Sequence, residues 1–257
     1  MKTLKTWLSH PLTCGLDLDD PKTTSLRKKI IQEKPFLKKI YESWYTSIAS
    51  TLRDCAGPVL EIGSGAGFLN QFVPNLVTSE IFFDPDCRLI LDGLKLPFLN
   101  HRLDAIVMTQ VLHHIPNAID FFNEAARCVK PGGHIVMIEP WVSDWSRIIY
   151  HKFHHEPFEP NVEEWDFPSS GPLSSANQAL PWVIFERDQA HFKKKFPMWE
   201  IQEIKPSLPF AYLLSGGVSM RSLMPGWTFG FWQGVERALS PWMKHWAMYA
   251  KIVLKHQ

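Results

Sequence analysis

Between Pro35 and Leu52, in PFLKKIYESWYTSIASTL, the apolar residues Phe36, Leu37, Ile40, Trp44, Ile48 and Leu52 recur three and four positions apart. That period places them on one face of an amphipathic helix. Upstream, SLRKKIIQEK predicts a short helix within an otherwise polar stretch. Beyond residue 57 the pattern changes to short unbroken apolar runs: VLEI (59–62), NLVTSEI with Glu80 near its end, LDAIVMTQ (103–110) and GGHIVMIEP reaching Glu139. Between the last two, AIDFFNEAARCVKPGG carries Ile119, Phe122, Ala126 and Val129 at helical spacing and is stopped by Pro131-Gly132-Gly133. WEIQEIKPSLPF and the terminal MYAKIVLKH predict two further strands. Unbroken apolar strands alternating with helices predict an α/β fold, a parallel sheet covered on both faces.

The chemistry concentrates where the first of these strands ends. In VLEIGSGAG (59–67), glycines stand at 63, 65 and 67, and a helix is predicted to start after them. Glycine there lets the backbone turn tightly and approach a ligand with no Cβ in the way, while a helix N-terminus offers unpaired N–H groups. Dinucleotide-binding proteins use a similar turn, but their GxGxxG spacing fails here, because the third glycine follows the second by two residues. Glu61 precedes the first glycine by two positions, where it repels a phosphate and attracts a cationic amino group. The implied ligand is a positively charged nucleoside.

VLEIGSGAG resembles the opening motif of class I S-adenosylmethionine-dependent methyltransferases, and the resemblance continues in order over residues 58–140. LDGLKLPF (91–98) is similar to that family's adenine-bordering stretch, LDAIVMTQVLHHI (103–115) to its fourth strand and loop, and EAARCVKPGGHIVMIEP to the helix, turn and fifth strand that follow. The resemblance implies a Rossmann-like, mostly parallel seven-stranded sheet with helices on both faces and an antiparallel last strand. S-adenosylmethionine is the implied cofactor, with Glu61, Gly63, Ser64, Gly65 and Gly67 forming its cradle. Glu80 matches the ribose-binding acid, Asp92, Gly93 and Leu94 lie by the adenine, and Gln110 and Val111 run along the methionine portion. Only about a dozen residues separate Glu80 from Asp92, so the third strand and the helix before it are abbreviated, and Asp84 competes for the ribose.

The rest of the chain bears on the acceptor. His113 and His114 are candidates for a general base, though no catalytic residue is assigned. His151, His154, His155 and Glu156 have helical spacing that can suit a metal, but Pro157 closes the segment and no fourth ligand is evident, so no metal is predicted. Tyr41, Trp44 and Tyr45 sit where an N-terminal helix covers the cofactor in this family, or simply pack. The chain is read as one domain, 1–257, with a helical extension at 1–52 and substrate-facing cap segments at 141–181 and 214–246. The first cap is irregular; the second is Trp-rich, with Phe229, Trp232, Val235, Leu239, Trp242 and Trp246 at helical intervals. That face either packs on the sheet and roofs the acceptor pocket, or makes peripheral membrane contact through 226–246. Both readings predict a small-molecule acceptor that is apolar or lipid-like.

Composition narrows the partners. Lys and Arg number 27 against 26 Asp and Glu, a balance with no general pull toward phosphate backbones, so no nucleic-acid partner is expected. The scattered Cys14, Cys55, Cys87 and Cys128 suit a reducing compartment, and the N-terminus lacks a signal-peptide apolar core, which predicts a cytoplasmic location. Two other readings stay open: a non-catalytic module keeping the same fold, and a nicotinamide-dependent oxidoreductase, against which the glycine spacing argues.

Overall fold

The computed structural model describes residues 10–13, 19–154, 156–169, 171 and 173–257; Cys14 and His155 lie outside them. Two helices open the fold, α1 (Pro21–Glu33) and α2 (Pro35–Thr51). Asp20 caps α1 by accepting the Lys22 N–H. Proline at the first position of each helix removes a donor that would have no partner there. The predicted face of α2 is buried, and it adds Tyr41 and Tyr45 to the core.

The sheet comprises β1 (Val59–Ile62), β2 (Leu76–Glu80), β3 (Leu89–Ile90), β4 (Leu103–Thr109), β5 (Val129–Pro140), β6 (Trp199–Ser207) and β7 (Tyr249–His256), in spatial order 3-2-1-4-5-7-6. β3, β2, β1, β4 and β5 pair in parallel, while β7 runs antiparallel to both β5 and β6. The last strand is thus antiparallel as predicted, and it sits inside the sheet rather than at its edge. All four residues of β1 are buried, as are six of the seven in β4, which is why these strands read as unbroken apolar runs.

Flanking the sheet are α3 (Ala118–Cys128), α4 (Asp144–Phe153), α5 (Gln189–Lys195), α6 (Ala211–Ser215), α7 (Phe229–Ala238) and α8 (Met243–Trp246). Phe122 of α3 meets Phe185, Phe192 and Phe196 at ring-centroid distances of 5.9, 5.2 and 5.5 Å, locking the 180–196 segment against the domain.

Three expectations change. After the glycine loop the chain makes a single 3-10 turn, Leu69–Gln71, instead of a helix. Pro74 follows within five residues and β2 begins at Leu76, so no helical turn can propagate. The α3 helix ends at Cys128, and Pro131-Gly132-Gly133 lies inside β5, where the pairing with β4 shifts register and Gly132 has φ +81°. Residues 141–181 are not irregular throughout: α4 opens them, started by a reciprocal Ser143–Ser146 capping box. The third strand is short, as the Glu80–Asp92 spacing predicted.

Candidate active site

The strand order reverses between β1 and β4, the place where open α/β sheets leave a crevice outside the strands' carboxyl ends. A cavity of about 1000 Å³ opens there. All of the cofactor residues read from the sequence lie on its wall: Glu61, Gly63, Ser64, Gly65, Gly67, Glu80, Asp92, Gly93, Leu94, Gln110 and Val111. Asp84 does not.

The loop after β1 is shaped by close approach. Gly63 and Gly65 have φ of +65° and +44°, in the region where a side chain is strained. A Cβ on Gly63 would stand 2.7 Å from Val111 Cγ2, and one on Gly65 3.3 Å from Glu80 Oε2. Ser64 stitches the loop to β2: its N–H donates to the Ser79 carbonyl at 2.8 Å and its hydroxyl accepts the Ser79 N–H at 3.1 Å. Its polar groups therefore largely serve the loop itself.

Glu61 and Glu80 flank this loop and both are buried. Burial raises the Glu61 carboxyl to about 7, opposed by the Ser64 hydroxyl and reinforced by the charge of Glu80. Burial also raises Glu80, against the hydrogen bonds it accepts from the Ile81 and Gly65 N–H groups. Two acids held in a poorly hydrated crevice suit a cationic, hydroxyl-bearing ligand.

Asp92 is exposed and shapes a turn, its carboxylate accepting the Leu94 N–H at 2.9 Å. The turn presents Gly93 and Leu94 to the cavity. Gln110 directly follows β4 at φ +60°, a conformation rare for a side chain of its size. Beside it, the Thr109 hydroxyl is buried on the cavity wall with no partner among the described residues. These bare-backbone and unsatisfied polar positions fit a nucleoside bearing a charged amino-acid moiety.

Aromatic side chains close the cavity over this crevice. Tyr41 and Tyr45 reach it from α2, while Trp44 packs behind on Tyr212 and Tyr249, at 5.9 and 5.3 Å. The cap segments contribute unequally. Ile149, Tyr150, Phe153, His154, Glu156, Ser169, Leu173 and Gln178 of the first line the cavity, whereas in the second only Gly216–Arg221 and Leu223 do. The Trp-rich stretch does not roof the pocket. Phe229 packs on Phe36 of α2 at 5.5 Å, and Trp227, Phe231 and Trp242 face outward.

Next to Val111 lies a buried polar cluster. Glu139, at the end of β5, accepts the Val111 and Leu112 N–H groups and holds His113 Nδ1 at 2.7 Å. From the first cap, Glu156 comes to 3.7 Å from His113 Nε2 and 4.0 Å from His114 Nε2. Burial disfavours charge on His113, yet Glu139 and Glu156 raise it to about 9; burial and the neighbouring His113 push His114 down to about 4. Of the helically spaced group read from sequence, His154 Nδ1 stays 3.9 Å from Glu156, while His151 turns its ring edge to Phe158 at 5.0 Å and His155 lies outside the described residues; among those residues Glu156 groups with His113 and His114.

Sequence reasoning gives no site role to Glu139, Gln178, Tyr150, Tyr212 or Tyr249. Only Glu139 carries a local signal, as an acid at the carboxyl end of a parallel strand.

A family model for a methyltransferase domain matches residues 36–202, more than half of the chain, and the chain belongs to that family. In family and fold it is a class I S-adenosylmethionine-dependent methyltransferase, and S-adenosylmethionine is the cofactor that goes with them. It is 24% identical over 131 residues to uncharacterized methyltransferases of Mycobacterium leprae, strains Br4923 and TN. The match spans 41% of this chain and 49% of those relatives, about half their length. Among solved structures, the complex of the Haloferax volcanii Trm112 methyltransferase activator with a putative methyltransferase matches at a TM-score of 0.50 and 13% identity, over 94% of this chain and 99% of that one. A geranyl diphosphate C-methyltransferase of Streptomyces coelicolor A3(2) matches at 0.48 and 16%, over 97% and 92%. Likeness at such identities is one of fold. No helix among the described residues is long and apolar enough to cross a membrane.

Proposed function

We propose that this chain transfers the methyl group of S-adenosylmethionine to a small, partly apolar acceptor bound in the cap-lined end of the same cavity. The observation that carries the reading is the cradle at the tip of β1: two buried carboxylates, Glu61 and Glu80, flanking a loop where two glycines have positive φ and side chains would crowd the space. Glu61 takes the cationic amino group, and Glu80, on the wall where Asp84 is not, takes the ribose hydroxyls. The Asp92–Leu94 turn borders the adenine, while Gln110 and Val111 run along the methionine portion.

The sulfonium supplies an electrophilic methyl carbon, so the protein's part is to align the acceptor in line and exclude water. Ile149, Tyr150, Phe153, Leu213, Val218 and Met220 make the far wall largely apolar, which supports a partly apolar acceptor. Phe153 and Leu223 lie on the wall and are 45% and 49% exposed, so apolar side chains reach the cavity's outer rim alongside Asp92, Ser169 and Arg221. Trp227, at 83% exposed, and Phe231, at 69%, lie near Arg237 and Lys244 in sequence. Aromatic and basic side chains together favour peripheral contact with a lipid surface.

Calorimetric titration with S-adenosylhomocysteine tests the cofactor reading. Wild type binds it, and Gly65→Arg, which would fill the cradle against Glu80, does not. Glu80→Gln, a gentler change, binds at least tenfold more weakly. Equal binding by all three proteins places the nucleoside elsewhere.

A further inference from the structure

The structure assigns a divalent-cation site to His113, His114 and Glu156 on the cavity wall. The hydrogen bonds of the two rings set their open nitrogens. His114 Nδ1 lies 2.9 Å from the Ser175 carbonyl, which can only accept, so that nitrogen carries the proton and leaves Nε2 as a lone-pair donor. His113 donates its Nδ1–H to the Glu139 carboxylate at 2.7 Å, so Nε2 is the ring nitrogen that faces Glu156. A ring N–H held by a carboxylate or a backbone carbonyl is the usual support of a metal-binding histidine, since it fixes both tautomer and orientation.

Both Nε2 atoms converge on Glu156, at 3.7 and 4.0 Å. These separations are too long for hydrogen bonds. They lie within the ~4.2 Å that two bonds of ~2.1 Å to one ion can span. The three ligand atoms all lie within 4.8 Å of one another, so closure on an ion needs a side-chain adjustment of roughly half an ångström.

A second observation points the same way. Gln178, 4% exposed, donates to Glu156 Oε2 at 2.8 Å, while its own Oε1 is buried with no donor among the described residues. An ion carrying water would supply that donor.

Two imidazoles and one carboxylate favour a first-row ion such as Zn²⁺, Mn²⁺ or Fe²⁺ over Mg²⁺ or Ca²⁺, which prefer all-oxygen shells. Three protein ligands on a cavity wall leave positions open for a small molecule. His113 and His114 stand within four residues of Gln110 and Val111 in the chain, so the open position would hold an oxygen of the acceptor beside the methyl donor. That last step rests on the methyl-transfer reading; the cation site itself does not.

The test titrates chelator-stripped protein with Zn²⁺ and, separately, Co²⁺, without any nucleoside. Wild type takes up one equivalent with micromolar or tighter affinity, and bound Co²⁺ shows visible absorption bands. Glu156→Gln and His114→Asn each lower that affinity at least tenfold while retaining S-adenosylhomocysteine binding, and Mg²⁺ at equal concentration does not compete. Melting curves identify either variant that misfolds, leaving the other to decide. No uptake by wild type, or equal uptake by the folded variants, overturns the site. Failure of wild type to bind S-adenosylhomocysteine while metal uptake persists overturns the nucleoside reading instead and leaves the cation site standing.

Discussion

Replacing Glu61 with glutamine probes the physics of the cradle most directly. The wild-type carboxyl is buried beside Glu80, and its rise from 4.5 to about 7, at ~1.4 kcal/mol per tenfold change in acidity, means that ionising it in the empty cradle costs about 3 kcal/mol. Between those two values the folded protein holds a proton that the unfolded chain has released. The stability associated with protonated Glu61 is therefore fully present below pH 4.5 and is lost as pH rises through about 7. Glutamine occupies nearly the same volume and cannot ionise. At ~2–4 °C per kcal/mol for a chain of this size, the ligand-free variant melts roughly 6 °C or more above wild type at pH 8, and this excess vanishes toward pH 4.5. Ligand reverses the order. A charged hydrogen bond contributes ~1.5–3 kcal/mol, so the variant binds S-adenosylhomocysteine at least tenfold more weakly at pH 8. Scanning calorimetry from pH 4.5 to 8.5 with and without the nucleoside reads both effects. A difference in melting temperature that does not change with pH would refute the reasoning.

Other perturbations test separate parts of the fold. A Cβ on Gly67 would stand 2.5 Å from the Tyr45 hydroxyl and 2.9 Å from the Ser64 carbonyl; Gly67→Ala should cost ~1–3 kcal/mol, and adding Tyr45→Phe should recover part of it in a double-mutant melting cycle. Lys34 is buried at 6% exposure and donates to the Gly217 and Met220 carbonyls, the latter at 2.8 Å, tying the cavity-lining 216–221 loop to the end of α1. Lys34→Met leaves those carbonyls without this donor, so melting should fall by several degrees and limited proteolysis should cut first within 216–223. Trp227→Ala with Phe231→Ala should leave melting within ~0.5 kcal/mol of wild type, as exposed substitutions do, yet should abolish sedimentation with anionic vesicles; unchanged sedimentation removes the lipid-surface contact.

The chain's local pattern was enough to read the sheet's central strands and the glycine loop that lines the cavity. Their determinants are consecutive in sequence: VLEI buries on both faces because parallel strands require it, and Gly63 and Gly65 adopt backbone conformations that glycine tolerates best. Glu80, Asp92 and Gln110 were singled out through the family resemblance, and each stands on the cavity wall at a strand end or in the turn after it. The sequence could not show that the loop after Gly67 makes only one 3-10 turn, because the limit comes from Pro74 and the need to start β2 beside β1. Nor could it show that Glu156 would leave its helical neighbour His151 for His113 and His114, 42 or more positions away. That meeting depends on the first cap folding back over the end of β4, which no local period encodes. The same holds for Gln178 and Tyr212, brought to the cavity by packing alone. Backbone requirements are written locally in the chain, whereas the cap-lined end of the cavity is made of side chains from distant segments whose positions only tertiary burial decides.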